Sequence, residues 1–284
     1  AALGGVATVL FGYKVAFIIN SISFFISAYS IWLIPEDAMR EKTPLERRIE
    51  TVQTAATSFF EEIKEGFQYT LKNPFALTIL LMNVIWALGG GMTNIVFEGL
   101  SVNVFSDERM NADFVYSVLL TANGLGLFFG MVIAHRVGNY VERKGITRSF
   151  MGWALIFHGV LFAVGGFMPS LWLVCGFIIF SRVLIGAEYA VQETMFQRSL
   201  PDRIRGRIST LDRGAEILMY SIASFLAGVS LTIISAQTAT AIAGLLAGCS
   251  GVVWLIRTRK AKNFGQNEED VQSFSKLENH KSQF

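Results

Sequence analysis

The chain has 284 residues, of which 52% are hydrophobic and 16% charged, with a formal net charge of +2. Soluble globular chains carry roughly 25% charge, so the balance argues against an ordinary cytosolic enzyme, and disorder needs the opposite composition. Two cysteines, Cys175 and Cys249, are too few for a disulfide scaffold, and a charge of +2 without a basic patch gives no footprint for nucleic acid.

A polytopic membrane protein remains, with each crossing needing about 20 apolar residues. Ala1–Leu10 is apolar but too short to cross. Val15–Ile34 is the first full span, and Pro35 stops it. A charged connector, 36–73, begins with the mixed-charge stretch Glu36–Glu50. Phe60, Ile63, Phe67 and Leu71 then return at helical spacing among Glu61, Glu62, Lys64 and Glu65, which predicts an amphipathic helix on the membrane surface or against the bundle. Pro74 opens the second span, Phe75–Glu98. Phe114–Val137, Phe150–Met168, Leu171–Phe196, Ala215–Ala236 and Thr238–Ile256 complete seven spans and a stub. Lipid offers no partner to an unpaired backbone group, so every span is expected to be a helix and the fold all-α. The segments are then 1–35, the connector 36–73, a six-helix unit 74–257 and a polar tail 258–284, expected to be disordered.

Of the 24 Lys and Arg, 21 fall in 36–73, 135–148, 197–213 and 257–284; Lys14 and Arg109 lie on the other side and Arg182 inside a span. The excess of positive charge on inner loops places those four segments, and the C-terminus, in the cytoplasm. The chain opens inside an apolar run, Ala1-Ala2-Leu3-Gly4-Gly5, without an initiating Met. That implies at least one crossing upstream.

Polar residues inside the spans are the candidates for function. Arg182 lies mid-span, where a charge costs about 2.5–3.5 kcal/mol on insertion scales. At 100° per residue, Arg182, Gly186, Tyr189 and Glu193 fall within about 60°, and Ser181, Glu188 and Gln192 widen the polar arc to roughly 160°. This is either a cavity wall with an ionisable pair or a structural ion pair between helices. In the second span Asn83, Ala87, Gly90, Asn94 and Glu98 share a face, with Gly89-Gly90-Gly91 loosening the helix. Asn83, Asn94 and Asn123 either line a site or hydrogen-bond between helices, worth about 0.6 kcal/mol each. Gly126 and Gly130 allow close packing, as do Ser224-x-x-x-Gly228 and the small residues Ala243, Gly244, Ala247, Gly248 and Gly251. His158 is either a packing residue or a proton relay. His135, His158 and His280 are too scattered to suggest a metal, no cofactor is implied, and neither a P-loop nor a hydrolase fingerprint occurs.

Several strings carry a family resemblance. Ala2-Leu3-Gly4-Gly5 looks like the tail of an antiporter motif, with Ala1 where its proline belongs. Phe17-Ile18-Ile19-Asn20-Ser21-Ile22-Ser23-Phe24, Glu65-Gly66-Phe67-Gln68-Tyr69 with Asn73-Pro74, and above all Gln197-Arg198-Ser199-Leu200-Pro201-Asp202-Arg203-Ile204-Arg205-Gly206-Arg207 resemble the enterobactin-exporter and macrolide-efflux branch of the major facilitator superfamily. The resemblance covers residues 1 to about 260 and implies helices six to twelve, with an N-terminal half completing the molecule.

It further implies alternating access in the inner cell membrane, with small-molecule substrate and protons as partners and membrane lipid around the bundle. Proton-coupled export of an amphiphilic drug, macrolide or siderophore is expected, with Glu188, Glu193 and Glu216 as candidate coupling acids beside Arg182. The coupling acid could equally lie upstream. A looser match, Gly138-x-x-x-Glu142-Arg143-x-Gly145-x-x-Arg148, is similar to the superfamily's loop motif with Glu in its Asp position. With Arg205 and Arg207 it implies a charge latch that pairs in one state and parts in another, or simply a basic loop that sets topology. Two rivals share the composition: a lysophospholipid-type flippase on the same fold and a non-transporting membrane scaffold.

Overall fold

The computed structural model describes residues 2–33, 64–107 and 110–259. The mixed-charge stretch, Phe60 and Ile63 of the expected amphipathic helix, and the tail beyond 259 lie outside the described residues. The chain folds as helices: α1 (Ala2–Trp32), α2 (64–72), α3 (Pro74–Gly90), α4 (Thr93–Leu100) running into a π-turn at Ser101–Phe105, α5 (Ala112–Arg143), α6 (Thr147–Gly165), α7 (Leu171–Ser199), α8 (Asp202–Ser230) and α9 (Ala236–Arg257).

The helix starts have local causes. Asn73 caps α3 by accepting from the backbone N–H of Phe75 and Ala76, both at 3.0 Å, with Pro74 in the first turn where its missing N–H costs nothing. Asn111 caps α5 through Phe114 at 2.8 Å, and Ser235 caps α9 through Thr238 at 3.2 Å. Between α5 and α6 the chain reverses at Gly145, whose φ of 65° lies in the left-handed region that a side chain disfavours.

Among the described residues five segments are long and apolar enough to cross a membrane: Pro74–Phe105, α5, α6, α7 and α9. Two expected spans behave differently. The stub and the first span form the single helix α1, because nothing between Leu10 and Val15 stops a helix. The span expected at Ala215–Ala236 is the second half of α8. That helix begins earlier, at Asp202, running through Arg205, Arg207, Asp212 and Arg213, and it ends at Ser230, where a turn leads to the Ser235 cap. The expected Phe75–Glu98 span is longer, with a turn at Gly91–Met92 that keeps helical dihedrals but interrupts the hydrogen-bond ladder between α3 and α4.

Small residues decide which helices touch. α5 lies along α7, where Gly126 and Gly130 meet the backbone of Ile179, Val183 and Gly186. α6 packs on α9 through Gly159 against Gly244 and Gly248. α3 presses on α9 at Gly89, where a Cβ would overlap the backbone of Ala243 and Ala247, and on α8 at Gly91, where it would overlap Tyr220. The Gly91 carbonyl faces α8 and accepts from the Ser224 hydroxyl at 2.6 Å. Gly228, expected to pack, has nothing within contact distance. The core divides into two apolar packs. One, around Phe97, Leu119, Phe162 and Val174, lies toward the end where α7 begins; the other, around Met82, Leu155, Phe196, Ile208 and Trp254, lies toward the end carrying the basic loops.

Candidate functional site

A cavity of about 200 Å³ opens where α3, α5, α6, α7 and α8 converge. Its apolar wall is Met82 and Trp86 from α3, Leu127 and Met131 from α5, Leu155 from α6 and Ile185 from α7. Its polar wall is Asn83, Glu188, Tyr189, Gln192, Arg213 and Glu216. α7 supplies the centre of that wall because Glu188, Tyr189 and Gln192 lie within one turn of one another on the side facing α3 and α8.

Two hydrogen-bonded sets build the polar wall. Gln192 donates through Nε2 to Asn83 Oδ1 at 2.9 Å, and Asn83 donates through Nδ2 to Asp212 Oδ2 at 2.8 Å, a chain crossing from α7 through α3 to α8. Arg213 donates to Glu216 Oε2 at 2.6 Å and to the Tyr189 hydroxyl, with its guanidinium carbon 5.7 Å from the centre of the Tyr189 ring. Glu216 thus balances Arg213. Glu188 has no such partner: its residue is 1% exposed, and Oε1 makes no hydrogen bond. Trp86 Nε1 and Asp212 Oδ1 are buried and unpaired as well. A buried polar atom without a partner costs about 1–3 kcal/mol, more if charged, and two such atoms, on Glu188 and Trp86, sit on this wall with the third, on Asp212, behind Asn83. An adjoining depression is lined by Glu193, Ser209, Asp212 and Arg213, and Glu193 accepts from Gln197 at 2.7 Å.

The rest of the predicted polar arc on α7 does not reach this cavity. Arg182 points between α4 and α6. It donates to Thr93 Oγ1 at 2.9 Å, lies 4.9 Å from the Phe162 ring centre, and is 5% exposed with Nε unpaired. No carboxylate among the described residues pairs with it. Ser181 instead joins His158 of α6: its Oγ lies 2.8 Å from Nδ1 and donates to the His158 carbonyl at 3.0 Å. Gly186 serves the α5 contact. One helix therefore spreads its polar residues over three neighbours, which a wheel drawn from sequence does not reveal.

The remaining candidates separate similarly. Asn83 is in the cavity wall, whereas Asn94 is exposed beyond the break and Asn123 is half-buried with Oδ1 unpaired, outside the cavity. The five latch residues do not meet as a group. Glu142 faces Arg198 at 3.6 Å with both side chains largely exposed, beside a separate groove of about 450 Å³ lined by Met131, His135, Asn139 and Arg198. Arg143 is exposed at the end of α5. Arg148 ties α6 to the end of α9, bonding Thr258 Oγ1 at 2.8 Å and the Leu255 carbonyl at 3.1 Å. Arg205 donates to the Leu200 carbonyl at 3.1 Å, and Arg207 pairs with Glu65 of α2. Arg213 and Trp86 on the wall, and Asp212 behind Asn83, are residues that the sequence reading passed over. The i, i+4 spacing of Asp212 and Glu216 was the available signal, masked by the charged stretch in which Asp212 lies.

A sequence profile of the family described as MFS_3, transmembrane secretion effector, matches residues 1–280. A Bacillus subtilis (strain 168) protein described as an uncharacterized MFS-type transporter, YfiS, is 25% identical over 270 residues, covering 92% of this chain. The chain spans 60% of that relative's length. No solved structure matches.

Proposed function

The chain belongs to the transmembrane secretion effector family of the major facilitator superfamily, and we propose that it works in proton-coupled export of an amphiphilic small molecule, as in the enterobactin-exporter and macrolide-efflux branch. A multi-pass bundle of this kind suits alternating access, in which a central site is exposed to each side in turn. The observation that carries the reading is Glu188: a carboxyl 1% exposed, at a cavity wall, with Oε1 unpaired. A structural carboxylate in lipid is paired; one left without a counter-charge among five helices is placed to take up and release a proton as access changes.

Residues around it have defined tasks. The Gln192–Asn83–Asp212 chain joins α7, α3 and α8, so a change at one helix is passed to the other two. Arg213, held by Glu216 and Tyr189, closes the basic end of the cavity. Trp86 and the two methionines give an apolar seat. The basic loops face the cytoplasm, in the inner cell membrane, and the substrate leaves on the opposite side.

The test uses the full-length gene product in proteoliposomes with an imposed pH gradient. Glu188→Gln keeps the shape and removes the ionisable proton. We expect gradient-driven flux to fall about a hundredfold while substrate exchange at equal pH and saturating substrate persists. Gradient-driven flux that survives the substitution removes Glu188 from coupling.

A further inference from the structure

We propose that the cavity between α3, α5, α6, α7 and α8 binds the cationic head of its substrate, an alkylammonium group seated between the Glu188 carboxylate and the rings of Trp86 and Tyr189. The inference deepens the transport reading by naming the substrate's charge and shape at that site. Among the described residues Arg213 is the one cation lining the cavity, and it is already matched by Glu216 at 2.6 Å. Glu188 on the wall, and Asp212 just behind Asn83, are left without a cation partner among the described residues, and each has an unpaired oxygen. The polar wall is therefore short of positive charge.

The remaining lining says which cation. Apart from Glu188, that side of the space is Met82, Trp86, Leu127, Met131, Leu155 and Ile185. A sodium ion or a divalent metal demands a shell of several oxygens close by; this side offers one carboxylate, and Asn83 Oδ1, the Tyr189 hydroxyl and Glu216 Oε2 across the cavity are already engaged by Gln192 and Arg213. An alkylated ammonium needs the opposite: one carboxylate, aromatic faces and polarisable sulfur, since its methyl groups are apolar and its charge is spread. At about 200 Å³ the space is smaller than the roughly 300–1,000 Å³ that holds a whole drug-sized ligand. It suits a head group, with the rest of an amphiphile outside the cavity.

The probe is radiolabelled benzyltrimethylammonium, bound to the purified full-length protein in detergent. Its competitor is neopentylbenzene, the same shape with carbon in place of the charged nitrogen. We expect saturable binding that neopentylbenzene displaces at least about tenfold less well than the unlabelled ammonium, and that Glu188→Gln weakens by about tenfold or more. Trp86→Leu is expected to weaken it by about fivefold. Equal displacement by the neutral isostere, unchanged binding in Glu188→Gln, or displacement by millimolar sodium overturns the proposal. If Glu188→Gln does not fold, the wild type serves: the ammonium is expected to protect Glu188 from dicyclohexylcarbodiimide, read by peptide mass, and labelling at Glu188 that is indifferent to the ammonium overturns it. Ammonium binding without gradient-driven flux upholds this inference and removes the coupling; gradient-driven flux without ammonium binding does the reverse.

Discussion

Arg182 and Glu188 share α7, carry opposite charges, and do not meet. Six residues separate them by about 9 Å along the axis and about 120° around it, so each looks into a different helix pair. Arg182 has a hydroxyl and an aromatic face for company. Burying a cation without a carboxylate costs more than those contacts return, and buried charges exchanged for apolar residues of similar volume often leave a protein as stable or more so. Arg182→Met is therefore expected to hold or raise the apparent melting temperature in detergent while lowering substrate flux at least about tenfold. A melting temperature several degrees lower would assign Arg182 to the framework instead. Which residues were polar and intramembrane was plain from sequence; which neighbour each one faced was not. That depends on the packing of α5 at Gly126 and Gly130, which rotates α7 so that its polar arc is divided among three partners.

Elements were more legible than contacts, since an apolar run of about 20 residues has few alternatives to a membrane helix. The ends of elements escaped where charge and helix coincide. α8 begins among charges because helical geometry does not require apolar residues, only an unbroken backbone ladder, and this is why Asp212 and Arg213 were read as loop. Glycines separate by what lies opposite them. Gly89→Ala sets a Cβ against the backbone of α9, and neither backbone can yield locally, so a loss of about 1–3 kcal/mol and a lower melting temperature are expected. Gly228→Ala, with open space around it, is expected to be neutral or to stabilise α8 by up to about 1 kcal/mol. Equal melting temperatures for the two variants would show that α3 and α9 are not in contact at Gly89.

At the scale of the whole molecule, the outer surface is apolar. Phe24, Phe25 and Trp32 of α1, Phe128 and Phe129 of α5, and Phe225 of α8 are all exposed, as suits a bundle that meets lipid or further helices. The basic loops crowd one end, and the direction in which that end points can be measured. With Cys249 replaced by Ser, Ser106→Cys is expected to react with a membrane-impermeant maleimide in intact cells, and Glu142→Cys only after permeabilisation. The reverse pattern would invert the orientation drawn from the charge distribution.

The interruption at Gly91–Met92 has a consequence on this scale too. It divides the bundle into two storeys: α3 belongs to the lower, with Asn83, Trp86 and the Glu188 cavity, and α4 to the upper, with Thr93 and Arg182. The carbonyl freed at that interruption is held by Ser224 of α8, the same helix that brings Asp212 and Arg213 to the lower storey. α8 thus serves both storeys: it carries charged side chains to the lower one and fastens the joint at which the upper one begins.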